Sequence, residues 1–143
     1  MYFILFTSQS WQNFVAHNQN FSFTFIVLAY NHERYIIEHF ESIKYLLTTY
    51  GQDLNVELII TDDYSQDTTR QKIDKWLSKN MGLFSKVQFL VNSENQGTCK
   101  SLINAIDKLQ TEICKITAGD DVYSNENIFE FINKCPKSSI ISG

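Results

Sequence analysis

Two pairs of adjacent aspartates are the residues in this sequence best suited to chemistry. Asp62-Asp63 follows the apolar residues 56–61, and Asp120-Asp121 follows the run at 113–119. Neighbouring carboxylates repel and raise each other's pKa, so two such pairs indicate that a cation, or a ligand rich in hydroxyl and N–H groups, is bound between them. In open α/β sheets, ligands bind at the carboxyl ends of the strands. We therefore predict one site to which both pairs contribute.

The chemistry that best suits Asp120-Asp121 is binding of a hard divalent cation. Mg²⁺ and Mn²⁺ are commonly held by one or two carboxylates together with phosphates of a ligand. Gly119 lets the backbone turn just before the pair. The structural alternative is an acidic loop that caps the following helix, although Ser124 and Asn125 are better placed to cap it.

Two other loops carry residues that can contact a ligand. Tyr30 follows an apolar run, where an aromatic ring can line a base pocket, and Asn31 is either a ligand contact or a cap of the next helix. In the second loop, Gly97 lets backbone N–H groups approach an anion at a helix N-terminus, and Lys100 adds positive charge. A plain loop before a helix explains that second segment equally well.

The rest of the sequence alternates strands with helices, the pattern needed to bring these loops together. The predicted strands are residues 23–29, 56–61, 87–91 and 113–117, with a fifth starting at 139–142; the predicted helices are residues 33–49, 68–79, 98–109 and a segment around 128–132. The helices have apolar residues three and four apart, whereas the strands are largely apolar throughout. This pattern predicts a three-layer α/β/α fold with a mostly parallel sheet.

Length, charge and composition narrow the class of protein. The 143 residues predict one domain at 21–143, after an N-terminal extension at 1–20. The net charge of −4 argues against nucleic acid as a partner. Three widely spaced cysteines predict reduced thiols in the cytoplasm.

His17, His32 and His39 do not cluster with cysteines or acids at metal-ligand spacing, which predicts surface or partly packed side chains.

The N-terminal extension begins with an apolar segment. Residues 1–6 are too few for a signal peptide or a membrane-spanning helix. We predict that the extension packs on the domain as an additional strand or helix. The alternative is a weak docking face made of Phe3, Leu5, Trp11 and Phe14, which would allow peripheral contact with the inner face of a membrane. Because the sequence stops at Gly143, near a strand, we also expect it to be the front half of a larger catalytic unit.

Taken in order, four motifs resemble those of the family 2 glycosyltransferases, whose nucleotide-binding half has the Rossmann-like GT-A fold. That family's pattern is P-x-Y-N at the first strand exit, V-D-D-x-S-x-D-x-T after the second, N-x-G before a helix, and an acidic D-x-D or D-D. The segments here are LAYN at 28–31, TDDYSQDTT at 61–69, NQG at 95–97 and AGDD at 118–121. The resemblance covers residues 22–143.

The resemblance implies a role for the matching positions. Ala29 and Tyr30 would border the base of a nucleotide-sugar donor, and a carboxylate of Asp62-Asp63 would accept a hydrogen bond from it. Lys100 would face the phosphates. The implied donor-binding residues are Ala29, Tyr30, Asn31, Glu33, Asp62, Asp63, Lys100 and Asp120.

The second acidic pair would contact the ribose and hold Mg²⁺ or Mn²⁺ on the diphosphate. The implied metal ligands are Asp120 and Asp121, of which Asp121 is favoured. The sequence departs from the family pattern at four positions. They are Leu28 in place of proline, Tyr64 in place of a small residue, Ala118 in place of the first carboxylate of a longer acidic motif, and Asn104, which lies one residue late.

The function implied is transfer of a sugar, with a UDP-sugar favoured, to a hydroxyl of a glycan or glycolipid with inversion, as in polysaccharide biosynthesis. In that family the acceptor-binding half and the general-base carboxylate would lie beyond Gly143. Two alternatives stay open. One is a nucleotide-sugar-binding fragment without catalysis. The other is a phosphoacceptor signalling domain, which would need its acidic pair after the first strand, where this sequence has Ala-Tyr-Asn.

Overall fold

The computed structural model describes residues 3–6, 22–51, 54–130 and 140–141. The described strands are β1 (Phe3–Phe6), β2 (Ser22–Ala29), β3 (Asn55–Asp62), β4 (Lys86–Val91), β5 (Ile113–Ala118) and β6 (Ile140–Ile141). The described helices are α1 (Ile36–Tyr50), α2 (Thr69–Asn80) and α3 (Thr98–Ile106), with a 3₁₀ turn at Met81–Leu83. Most of the predicted extension and the end of the helix predicted around 128–132 lie outside the described residues, as do Trp11, Phe14, His17 and Cys135.

The four central strands form a parallel sheet. Their order is β4-β3-β2-β5, and every neighbouring pair among them is parallel. β1 pairs antiparallel with β5, and β6 pairs antiparallel with β1. β6 corresponds to the strand predicted at 139–142, and β1 brings the start of the extension into the sheet. The prediction of an α/β fold with a mostly parallel sheet is confirmed.

Both faces of the sheet are covered by helices, which gives three layers. Phe25 of β2 packs in the core that includes α1 and α2, whereas the next residue, Ile26, packs on the opposite face with Ala105 of α3. Phe40 of α1 stacks on Trp76 of α2 with 4.8 Å between ring centroids. Because side chains on both faces are buried, the central strands are apolar without the alternation of a surface strand.

The strand order reverses at β2, and this reversal positions the site. From β2 the chain steps to β3 and β4, and it returns on the other side of β2 as β5. Ligands of open α/β sheets bind in the crevice at such a switch point. Asp62 is in register with Ala29, and Ala118 is in register with Leu28. The two acidic pairs therefore flank the end of β2 on opposite sides.

Candidate functional site

The loop after β2 is held to the loop after β3 by hydrogen bonds. Asn31 donates its N–H to Ser65 Oγ over 3.0 Å, and its Oδ1 accepts from the N–H of Gln66 at 2.8 Å. Asn31 has a φ of 55° and Tyr64 a φ of 68°, a left-handed conformation that asparagine tolerates better than most residues. Asn31 thus ties two loops together and does not cap α1, which begins without a side-chain cap.

Glu33 forms a second link between the same loops. Its Oε2 accepts from the N–H of Thr68 at 3.0 Å and from the Thr68 hydroxyl at 2.8 Å, and its own N–H donates to Asp67 Oδ2 at 3.1 Å. The backbone and side-chain hydrogen bonds from Thr68 lower the pKa of Glu33. The Glu33 carboxylate therefore holds the loop after β2 to the loop after β3.

Within the first acidic pair, Asp62 points into the protein. Its side chain is completely buried, and its Oδ1 accepts hydrogen bonds from Arg70 Nε and from the N–H of Ser65. Arg70 lies in the first turn of α2, and its guanidinium is 5.6 Å from the centre of the Tyr64 ring. Asp62 therefore braces the β3–α2 loop through a charge pair.

Asp63 faces the crevice and binds the loop between β4 and α3. Its Oδ1 accepts from Asn92 Nδ2 and from the N–H of Gln96, and its Oδ2 accepts from the N–H of Gly97, each at 2.8 Å. Gly97 has a φ of 82°, which glycine adopts without strain. The N–H groups of Gln96 and Gly97, which the sequence offers to a ligand anion, are therefore bonded to Asp63.

These hydrogen bonds predict how stability depends on pH. Burial alone would raise the pKa of Asp63, but hydrogen bonds from Gln96, Asn92 and their neighbours outweigh it and hold the pKa below its ordinary 3.8. Since the folded pKa lies below the unfolded one, Asp63 stabilises the protein fully above about pH 5, and this contribution is lost as the pH falls through the folded pKa. Replacing Asp63 with asparagine should lower the free energy of unfolding by about 1–3 kcal/mol at pH 7, and by less as the pH falls toward about 3.

The measurement is denaturant unfolding of both proteins at a series of pH values. Glu94→Gln serves as the control, because Glu94 is an exposed carboxylate of the same loop. Its stability difference from the natural protein should stay small at every pH. A loss in Asp63→Asn that is the same at pH 7 and at about pH 3 would contradict the assignment of that charge to the loop.

The second acidic pair also divides between two directions. Asp120 has a half-exposed side chain that lines the cavity described below, and its Oδ1 is 3.7 Å from His32 Nε2. Asp121 turns back to the end of β5, where its Oδ2 accepts from the N–H of Ala118 at 3.2 Å and from the Thr117 hydroxyl at 3.3 Å. One carboxylate therefore faces the crevice, and the other fixes the turn that presents it.

His39 holds the same turn from α1. Its side chain is completely buried, and Nδ1 donates to the carbonyl oxygen of Asp121 over 2.6 Å. Burial lowers the pKa of His39 to about 4, so the ring is neutral at pH 7; Nδ1 carries the proton, because a carbonyl can only accept. The prediction of a surface or partly packed histidine is wrong for His39. Its place between Ile36 and Ile43, on the apolar stripe of α1, was the signal for burial.

Gly119 leaves room for two side chains beside the acidic pair. A Cβ at this position would lie 2.7 Å from Cδ1 of Ile36 and 2.8 Å from Nδ1 of His32. We expect Gly119→Ala to lower the free energy of unfolding by about 1–3 kcal/mol through overpacking, measured by denaturant unfolding. In Gly82→Ala the new Cβ meets no atom within 4 Å, so the change should stay below about 0.5 kcal/mol. Equal losses in the two variants would contradict the steric explanation.

A cavity of about 300 Å³ lies at the switch point beside the end of β2. Its walls come from the ends of β2, β3 and β5, from the loops that follow them and from the start of α3. Residues from each of these parts include Leu28, Tyr30, His32, Thr61, Asp63, Gly97, Ser101, Ala118 and Asp120. This volume is at the lower end of the range for sites that bind small molecules.

The structure brings some of the predicted donor-binding residues to this cavity and not others. Those that line it are Ala29, Tyr30, Asp63 and Asp120. Those with side chains bonded within the loops are Asn31, Glu33 and Asp62, as described above. Lys100 is exposed in the first turn of α3. Sequence reasoning missed His32, Thr61 and Ser101, because nothing in the spacing of these residues separates them from ordinary loop, strand and helix positions.

The acidic pair suits a cation that arrives with its own ligands. Among the described residues, no group of three or more His, Cys, Asp or Glu side chains could hold a metal ion. Asp120 nevertheless presents a hard carboxylate oxygen to the cavity, with Asp121 next to it in the chain, and one or two carboxylates are sufficient when phosphate oxygens and waters complete the octahedron. The donor set therefore fits Mg²⁺ or Mn²⁺ bound together with a phosphate ligand.

Comparison with known proteins gives a family match and several similar structures. The sequence model of the protein family described as Glycosyl transferase family 2 matches residues 24–140 of this chain. S. aureus TarS is similar, with a TM-score of 0.64 and 24% identity over 79% of this chain and 20% of that chain. S. aureus TarS 1–349 in complex with UDP-GlcNAc gives a TM-score of 0.64 and 24% identity, over 79% of this chain and 31% of that chain. No curated protein sequence matches the chain.

A third similar structure is that of a mannosyltransferase. The mannosyltransferase PcManGT from Pyrobaculum calidifontis, in complex with GDP-Man and Mn²⁺, gives a TM-score of 0.62 and 20% identity over 80% of this chain and 34% of that chain. At these identities the similarity establishes a shared fold, and it confirms the α/β architecture that the sequence predicts. The chain spans between 20% and 34% of the length of these proteins.

Proposed function

The chain belongs to glycosyl transferase family 2, and on that basis we propose that it is the donor-binding part of an enzyme that transfers a sugar from a nucleoside diphosphate to a hydroxyl group. The observation that carries the proposal is the cavity at the switch point, with Asp120 on its wall. In open α/β folds, this crevice is where nucleotides bind.

The cavity offers different surroundings to the two ends of such a donor. Leu28, Ala29 and Ala118 give it an apolar wall, and the ring of Tyr30, which is 42% exposed, is available to stack on a base. Asp120 offers a carboxylate to ribose hydroxyls. Similar structures hold UDP-GlcNAc in one case and GDP-Man in another, and a UDP-sugar is the donor that we favour.

We assign Mg²⁺ or Mn²⁺ to Asp120 and Asp121, in keeping with the Mn²⁺ in the PcManGT complex. The cation, when bound, would neutralise the charge that develops on the departing diphosphate. The geometry supports unequal roles for the two residues. Asp120 presents its carboxylate to the cavity, whereas Asp121 contributes while its Oδ2 is held by the N–H of Ala118.

The remaining predicted site residues fall into two groups. Lys100, exposed in the first turn of α3, is proposed to face the phosphates. Asn31, Glu33 and Asp62 are proposed to support the donor site by holding its loops, because one side-chain oxygen of each accepts hydrogen bonds from a neighbouring loop or helix. Asp63 holds the Gly97 loop and forms part of the cavity wall at the same time.

In the intact enzyme, we propose that an acceptor hydroxyl of a glycan or glycolipid attacks the anomeric carbon of the donor sugar. A carboxylate base takes the hydroxyl proton, the bond from the anomeric carbon to the diphosphate breaks, and the configuration inverts. We expect this base to come from residues after Gly143. We place the reaction in polysaccharide biosynthesis in the cytoplasm, with peripheral contact at the inner membrane face. No described helix is long and apolar enough to cross a membrane.

The proposal is tested by thermal unfolding with UDP-, GDP-, CMP- and dTDP-sugars, each with and without Mn²⁺. At a ligand concentration 100 times its Kd, stabilisation of about 2.7 kcal/mol is expected. A nucleoside-diphosphate sugar that stabilises the protein only when Mn²⁺ is present would support the assignment. Absence of stabilisation by every combination would contradict it.

The second candidate is a nucleotide-sugar-binding fragment without turnover. The observation in its favour is that the chain spans between 20% and 34% of the length of the similar structures named above. An assay of donor hydrolysis separates the two candidates, since the fragment would bind the donor without releasing free sugar. The family match leaves the phosphoacceptor signalling domain without support.

A further inference from the structure

Thr61 carries a buried hydroxyl in the wall of the cavity. It is the penultimate residue of β3, its side chain is completely buried, and it lines the cavity. Its Oγ1 has no hydrogen-bond partner among the residues that the structure describes. A buried hydroxyl without a partner costs stability and is uncommon in folded proteins.

Two polar side chains that line the cavity with Thr61 are already paired. The oxygens of Asp63 accept from Asn92, Gln96 and Gly97. Ser101 Oγ, opposite on α3, accepts from Asn92 Nδ2 at 3.0 Å. Thr61 Oγ1 is buried and no described neighbour satisfies it, so a ligand would have to supply its partner.

The surroundings of Thr61 suit a flat, mostly apolar group. Thr61 is in register with Leu28 on β2, and Leu28 is in register with Ala118 on β5. These three residues form a row across the sheet, and all three line the cavity. A nucleobase presents an apolar face and an edge of hydrogen-bonding groups, whereas a diphosphate presents only charge. The row therefore favours the base over the phosphates.

We propose that Thr61 Oγ1 hydrogen-bonds the polar edge of the donor's nucleobase and helps to determine which nucleotide is accepted. This inference rests on the proposed function, because it requires a nucleotide in the cavity. The hydroxyl can both donate and accept, so it can pair with either an N–H or a carbonyl on the edge of a base. A bound base would supply a hydrogen-bond partner for Thr61 Oγ1.

The test compares Thr61→Val with Thr61→Ser. Valine keeps the branched shape and removes the hydroxyl, whereas serine keeps the hydroxyl. Titration calorimetry with UDP, GDP and dTDP, each with Mn²⁺, should show that Thr61→Val weakens binding of the preferred nucleotide about tenfold. Thr61→Ser should stay within about threefold of the natural protein. Pyrophosphate with Mn²⁺, which has no base, should bind all three proteins equally.

A second measurement distinguishes recognition from a structural role. Because valine removes a buried hydroxyl that has no partner, the thermal midpoint of Thr61→Val should equal or exceed that of the natural protein. Nucleotide binding that is unchanged in Thr61→Val, or an equal loss with pyrophosphate, would overturn the inference and leave the proposed function standing. If the natural protein bound none of the three nucleotides, the proposed function would fail and this inference with it.

Discussion

Replacing Asp120 with asparagine is expected to weaken Mn²⁺-dependent binding of UDP at least about 100-fold. Loss of a hydrogen-bond partner behind a metal ligand already costs about 10–100-fold, and this change removes a proposed ligand itself. The expected effect reverses when Mn²⁺ is left out. Without the cation, a negative carboxylate beside the diphosphate repels it, so the variant should then bind UDP at least as well as the natural protein. Calorimetry with and without Mn²⁺ measures both effects.

Two further variants test whether the loss of UDP binding is specific to Asp120. Asp74→Asn removes the same charge from an exposed position on α2, and it should leave UDP binding unchanged. Asp121→Asn should lose Mn²⁺-dependent binding and also unfold at a lower temperature, because Asp121 Oδ2 fixes the turn after β5. If Asp120→Asn keeps the full Mn²⁺ effect, the cation binds elsewhere.

Replacing Arg70 with methionine should lower the free energy of unfolding by about 3 kcal/mol. The change leaves the completely buried carboxylate of Asp62 without its cation, while the N–H of Ser65 still donates to it. Breaking a buried ion pair on one side typically costs about 3–5 kcal/mol. We expect the lower end of that range because the Arg70 side chain is 30% exposed. Urea unfolding at pH 7 provides the measurement.

The explanation is tested by removing the second charge as well. In the double variant Asp62→Asn/Arg70→Met, no buried charge is left unpaired, so about 2 kcal/mol of the loss should be recovered. Arg34→Met removes an arginine from an exposed position and should change stability by less than about 0.5 kcal/mol. A double variant as unstable as Arg70→Met alone would mean that Asp62 is not the source of the loss.

The sequence was sufficient to predict the framework of this protein. Long apolar runs such as that of β3, followed by helices with apolar residues three and four apart, are dictated by burial on both faces of a sheet. Aspartates at two strand ends then had to meet at one edge, because parallel strands present their carboxyl ends on the same side. The position of the candidate site followed from these two facts.

Which aspartate of each acidic pair faces the crevice, and which one holds the loop, could not be predicted in this way. Whether Asp62 or Asp63 faces the crevice depends on the direction of each side chain at the turn and on its partners. One of these is Gly97, which lies 34 residues after Asp63. For the same reason, His39 could not be connected with Asp121, which lies 82 residues later. Hydrogen bonds of this kind form only in the tertiary structure, and the local sequence pattern does not predict them.

The hydrogen bonds of Asn31, Glu33 and Asp63 join three loops into one framework through protein groups alone. A nucleotide that enters then finds loops that folding has already ordered, so little conformational entropy is left for the protein to lose on binding. Under the proposed function, nucleotide preference would therefore change through single exchanges of side chains beneath this framework, with no remodelling of the loops above it.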